Sequence, residues 1–273
     1  LMSVSGVSAQ EYFGQNKMAY EKLDQFTETD HFSIYHSLDL NDPLQKKHFE
    51  EQIINPLENA YSFYSRTFKH QISNKIVVLA YKSHSGFEGN NVIDSSGYRY
   101  CDVRKNTWKA IGGSNASIYF LPEGVGAFAE PSRDRIVLKL DFYPNLNATI
   151  IAHELGHQFQ FDMLGSSILG QLGGRLVRPP AWFMEGGADY WADKFNPYTR
   201  DDIRKMSQRE AAANPEKDLP TWDALNNDAG DAYSMGAMPF TFIEEKFGLD
   251  VVTDLYVSRL KNRQRSNMIK TLV

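Results

Sequence analysis

From Asp42 to Phe68, apolar positions at Leu44, Phe49, Ile53, Leu57, Ala60 and Tyr64 recur at near-helical intervals and predict a long amphipathic helix. Lys75-Ile76-Val77-Val78-Leu79-Ala80 is a continuous apolar run of strand length, and Phe32-Ser33-Ile34 predicts a shorter strand. Ser117–Leu121 and Arg135–Leu140 predict two further strands. Residues 9–29 are polar and are expected to be helical, whereas 83–115 is rich in Gly, Ser and Asn and is expected to be a long loop, a place where specificity often resides. After residue 180 the pattern turns helical, with helices expected over 181–195, 199–212, 231–247 and 249–262. Strands interleaved with helices, followed by helices alone, predict an α+β fold.

One expected helix carries His153-Glu154-Leu155-Gly156-His157. Histidines four positions apart share a helix face and can reach one metal ion, with the glutamate beside them as a carboxylate that need not bind it. HExxH alone is a modest signal, so its surroundings matter. Asn147 or Thr149 can cap the start of the helix. Ile151, Leu155 and Phe159 lie roughly opposite the histidines and can bury the other face, and Gly156 leaves room for a neighbouring element. The structural alternative is a core helix with two hydrogen-bonded histidines.

Pro179-Pro180 precedes Ala181-Trp182-Phe183-Met184-Glu185-Gly186-Gly187-Ala188-Asp189-Tyr190-Trp191, so a second helix should begin near residue 180. Glu185 and Asp189 share one face of it. A carboxylate pair among aromatic side chains is costly without partners. A metal would partner Glu185, and the distal ring N–H of a metal-bound histidine would partner Asp189.

HExxH followed by W-F-x-E-G-x-A-x-Y resembles the gluzincins, zinc peptidases whose third ligand is a glutamate on a second helix. The interval from His157 to Glu185 is similar to that of clostridial-type collagenases. The overall pattern from about His31 onward resembles the peptidase MA-like domain found ahead of TolB-like β-propellers. The resemblance implies a thermolysin-like zincin: an N-terminal lobe with a sheet and the HExxH helix, a mainly helical C-terminal lobe, and an active site between them. It divides the chain into a polar helical segment (1–30), an α+β lobe (31–163) and a helical lobe (164–273). It implies one zinc ion per chain held by His153, His157 and Glu185, Glu154 as general base, and Asp189 behind a ligand. Tyr233 heads a Y-x-x-G pattern whose tyrosine stabilises the oxyanion in related enzymes, and a neutral phenol can donate to such a charge. Glu130, with Gly126 and Ala127, echoes the aminopeptidase motif for a substrate amino terminus but departs from it at several positions. An edge strand ahead of the zinc helix, Gly124–Phe128 or 135–140, would pair with an extended substrate.

Composition sets limits. Hydrophobic residues at 42% and charged residues at 23% are those of an ordinary globular protein. A net charge of −5 without a sustained basic run argues against nucleic acid as partner, and no apolar run reaches membrane-spanning length. Cys101 stands alone and no G-x-S-x-G occurs, so no serine or cysteine nucleophile competes. The chain opens at Leu1 and not at a methionine, from which we expect a trimmed or mature fragment with any signal peptide outside it; the resemblance favours an extracytoplasmic location and allows further domains in a longer parent chain. The function expected is hydrolysis of a peptide or protein substrate. Two alternatives stand beside it: a glycopeptidase using Tyr98, Tyr100 and Trp108 to stack on sugar, and a non-catalytic binding module that retains the fold.

Overall fold

The computed structural model describes residues 23–83, 87, 93–94, 97–98, 100–102, 107–109, 126–130, 135–140, 144–164, 179–197, 213, 221–227, 232 and 235–262. They form two compact units, Leu1–Glu58 with Ser73–Asn147, and Asn59–Ile72 with Ala148–Val273.

The first unit is built on a mixed five-stranded sheet. Its strands are β1 (Gln25–Glu28), β2 (Phe32–His36), β3 (Ile76–Tyr81), β8 (Ala127–Glu130) and β9 (Arg135–Lys139), in the order β1-β2-β3-β9-β8. The central pairs β2–β3 and β3–β9 are parallel; the outer pairs are antiparallel. A central parallel strand is covered on both faces, which explains why Ile76–Tyr81 is apolar at every position rather than alternating. On one face Leu23, Leu79, Tyr81, Phe87 and Val137 form a core against Tyr35, Val77 and Phe128.

Helix α1 (Pro43–Phe49) starts at Asp42, whose carboxylate accepts from the Leu44 N–H at 2.9 Å. The long helix expected from 42 to 68 is present but not uniform. A π-helical turn, Glu50–Ile54, separates α1 from α2 (Asn55–Phe68). Pro56 has no N–H, and its ring would crowd the carbonyl four residues back in a regular helix. The wider turn directly ahead relieves this, with the Asn55 N–H bonded to Glu50 O.

Other expectations change. Residues 25–28 are strand, not helix: Gln25 pairs with His36 and Glu28 with Ser33, and ladder pairing overrides the local polarity. Within 83–115 the described residues form two small hairpins, β4 (Ile93–Asp94) with β5 (Gly97–Tyr98) and β6 (Tyr100–Asp102) with β7 (Thr107–Lys109). Strand β9 pairs on both sides and offers no open edge, whereas β8 is an edge strand among the described residues. The strand expected at 117–121 and the helix expected at 199–212 lie outside the described residues.

The second unit is helical: the later part of α2, α3 (Pro144–Leu164, its body from Ala148), α4 (Ala181–Phe195), α5 (Trp222–Asn227), α6 (Met238–Phe247) and α7 (Leu249–Asn262). Its core is aromatic. Phe183 stacks on Tyr256 with centroids 4.9 Å apart, Phe68 meets Trp191 edge-on at 5.2 Å, and Phe159 lies 5.5 Å from Tyr64. Helix α3 begins at Pro144, earlier than expected, because proline suits a first helical turn. Asn147 and Thr149 are therefore inside it, and the Thr149 hydroxyl instead accepts from Asn196 Nδ2 at 3.0 Å. Within the expected 231–247, Ala232 and Met235 are helical, a turn follows at Gly236 and Ala237, and α6 runs from Met238 with Pro239 in its first turn. No described helix is long and apolar enough to cross a membrane.

Candidate metal centre

Helix α3 is the spine of the site. Residues 151–160 are all buried, the histidine face included, so this is a core helix on every side rather than one with an open face. Ile151, Leu155 and Phe159 are packed as expected. Two close approaches hold it. The Tyr64 hydroxyl donates to Ala152 O at 2.8 Å, and a methyl at Gly156 would sit 3.1 Å from that hydroxyl and 3.7 Å from the Cα of Ala188. Burial pushes the Tyr64 phenol well above its usual pKa, so it stays a donor.

Helix α4 follows the extended Pro180 and presents Glu185 and Asp189 one turn apart. Its Gly186 lies against the backbone of Gly236, where a methyl would overlap the Gly236 Cα, C and O. At Gly187 a methyl would come within 2.6 Å of the Tyr256 ring. Small residues thus let α4 pack tightly behind the acidic face.

His153, His157 and Glu185 come together from these two helices, all their ligand atoms within 4.8 Å of one another. His157 Nε2 is 3.0 Å from His153 Nε2 and 3.0 Å from Glu185 Oε2, and His153 Nε2 is 3.6 Å from the same oxygen. The outward nitrogens decide the protonation pattern. His153 Nδ1 is 2.6 Å from Asp189 Oδ1, and His157 Nδ1 is 2.7 Å from Gln160 Oε1. Gln160 Nε2 donates to Met184 O at 2.7 Å and to the Tyr256 hydroxyl at 2.5 Å. Because a carbonyl can only accept, Met184 O fixes which end of the amide is nitrogen. Both Nδ1 atoms therefore face acceptors and carry hydrogen, which in the neutral rings leaves both Nε2 lone pairs turned toward each other and toward a carboxylate.

Three acceptors cannot remain that close without a positive charge between them. A tetrahedral ion with bonds of about 2.0–2.1 Å separates its donors by roughly 3.3 Å, and the observed 3.0, 3.0 and 3.6 Å lie around that value. The residues present fit a divalent ion. In the metal-free protein a proton answers the same demand. Burial disfavours a charged ring, but hydrogen bonds to Asp189 and Glu185, with the charge of Glu154 nearby, hold His153 well above its usual pKa. Glu154 itself is buried on α3.

Other candidates are placed differently. Gly126 and Ala127 lead into β8, where Gly126 O accepts from the Lys139 N–H, and Glu130 ends that strand paired with Arg135. They belong to the sheet unit, whereas His153, His157 and Glu185 belong to the helical one. Tyr233 lies outside the described residues. Sequence reasoning missed Gln160 and Tyr256. Gln160 is legible in hindsight, three positions after His157 on one helix face; Tyr256 has no local signal. No family model matches the chain, and no curated protein matches it.

Proposed function

We propose that the protein is a zinc-dependent peptidase of the gluzincin type, with His153, His157 and Glu185 holding the ion and Glu154 as general base. The observation that supports this reading best is the convergence of three potential ligand atoms, with the outer nitrogen of each histidine facing an oxygen acceptor that favours the metal-binding tautomer. Two histidines and one carboxylate also suit iron(II). Glu154, buried beside His153 on the same helix, favours zinc, since hydrolysis needs a base there and oxygen chemistry does not. When bound, zinc supplies Lewis acidity toward water and a substrate carbonyl.

The chain's own residues do the rest. Asp189 and Gln160 hold the imidazole rings in orientation, and burial excludes bulk water from around Glu154. Glu154 takes a proton from the attacking water as the new C–O bond forms. It then delivers that proton to the amide nitrogen as the C–N bond breaks, so no covalent intermediate with the protein arises.

The test is cleavage of a peptide library by the zinc-loaded protein and by Glu154→Gln. The reading expects cleavage by the first and a loss of about 10²–10⁴-fold in the second, with zinc content unchanged. Equal turnover by both would refute the role of Glu154; zinc retention with no cleavage of any library would favour a binding module instead.

A further inference from the structure

We propose that Gln160 is a positioning residue that presets the metal-binding tautomer of His157 and, through Met184 and Tyr256, ties the second and third ligands into one unit. The inference rests on the metal reading above and extends it to a side chain that does not touch the ion.

Gln160 is fully buried, and each end of its amide is engaged. Its oxygen lies 2.7 Å from His157 Nδ1, and its nitrogen donates to Met184 O and the Tyr256 hydroxyl at 2.7 and 2.5 Å. Reversing the amide would set two donors face to face at His157 and two carbonyl oxygens face to face at Met184. The orientation is therefore fixed by the backbone of α4, one residue before the ligand Glu185. Free imidazole has no such constraint on which nitrogen carries hydrogen. Here the constraint reaches His157 before any metal arrives. The ring plane is held as well, by Phe161 stacked at 5.8 Å with planes 12° apart.

The two histidines are supported unequally. His153 leans on the carboxylate of Asp189 and His157 on a neutral amide. Glu154, Glu185 and Asp189 already place three carboxylates around the two rings. A fourth at position 160 would add negative charge that a divalent ion does not need, and would face the Met184 carbonyl with no proton to offer it. An amide supplies the acceptor without the charge and a donor on its other side.

Tyr256 closes the chain of contacts. It is buried on α7, takes the second Gln160 donor, and lies against Gly187 of α4, so a residue distant in sequence holds the amide from behind.

The first arm of the test needs no substitution. Nitrogen-15 labelling of histidine in the metal-free wild-type protein reads each ring's tautomer from its two-bond couplings. The proposal expects His157 in the Nδ1–H form, and the Nε2–H form would overturn it. The second arm compares zinc affinity, by chelator competition, in Gln160→Met and Gln160→Glu. Methionine keeps the length but offers no comparable acceptor, and zinc should bind about 10–100-fold more weakly. Glutamate restores the acceptor to His157 but loses the donors to Met184 and Tyr256. It should therefore melt earlier than wild type while holding zinc at least tenfold more tightly than the methionine variant. Parallel losses of affinity and stability in both variants, or a methionine variant within twofold of wild type, would make Gln160 a packing residue. If neither variant folds, the wild-type tautomer decides. A wild-type protein that takes up neither zinc nor cobalt would refute the metal reading, and the tautomer measurement would still judge Gln160.

Discussion

Replacing Gly186 by alanine should destabilise the protein, although helix propensity alone predicts the opposite. In a helix interior alanine is favoured over glycine by roughly 0.8–1.0 kcal/mol, and Gly186 lies well inside α4. The added methyl, however, would overlap three backbone atoms of Gly236, which no rotamer change can move. Overpacking of a tight core costs about 1–3 kcal/mol and occasionally more; a clash with backbone atoms belongs at the upper end, so the net loss should be about 2 kcal/mol after the propensity gain. For a chain of this size that corresponds to a fall of roughly 4–8 °C in melting temperature. Because Glu185 is the preceding residue, the same shift should weaken zinc binding. Two further glycines supply a graded comparison. At Gly187 the obstacle is the Tyr256 ring at 2.6 Å, which can tilt, and at Gly156 it is the Tyr64 hydroxyl at 3.1 Å. Thermal melts of the three alanine variants should rank Gly186 as most damaging and Gly156 as least. A Gly186→Ala protein that melts at or above wild type would refute the close packing of α4 on Gly236.

Asp189→Ala should weaken zinc by about 10–100-fold, whereas Asp189→Asn, which can still accept from His153 Nδ1, should lose less; chelator competition measures both. Zinc affinity should rise with pH around neutrality, about tenfold per unit for each proton displaced, because His153 is held protonated in the metal-free protein; a flat profile would contradict this. The raised His153 pKa stabilises the metal-free fold fully below 6.5, and that contribution is lost as pH climbs through the folded-state value, so zinc should stabilise most at alkaline pH. His36 acts in the opposite sense. Burial, the largest influence, lowers its pKa from 6.5 to about 4 despite Asp24 nearby, so the fold should lose stability as pH falls from 6.5 to about 4. The loss should be on the order of 2 kcal/mol after solvent screening, and His36→Gln, measured by urea unfolding, should flatten that part of the curve.

The parts of the site legible in the sequence are those governed by helical period: His153 and His157, Glu185 and Asp189, each pair one turn apart. Helices α4 and α7 were bounded by local signals, Pro180 before the first and Gly248 before the second, and both match their expected ranges. What escaped depends on partners distant in the chain. Gly236 matters because Gly186 rests on it, and Tyr256 because Gln160 and Gly187 meet it; neither relation has a fixed spacing. Residues 25–28 became a strand because β2 offered a ladder edge, not through their own polarity. The π turn at Glu50–Ile54 was signalled by Pro56, but a continuous apolar stripe concealed it.

The central claim is that His153, His157 and Glu185 hold one zinc ion, and elemental analysis of the purified protein beside Glu185→Ala tests it most directly. The account predicts one zinc per wild-type chain, retained through dialysis, and a large loss in the variant with its fold intact. A wild-type chain that stays metal-free after reconstitution, or a variant that retains zinc in full, would contradict it.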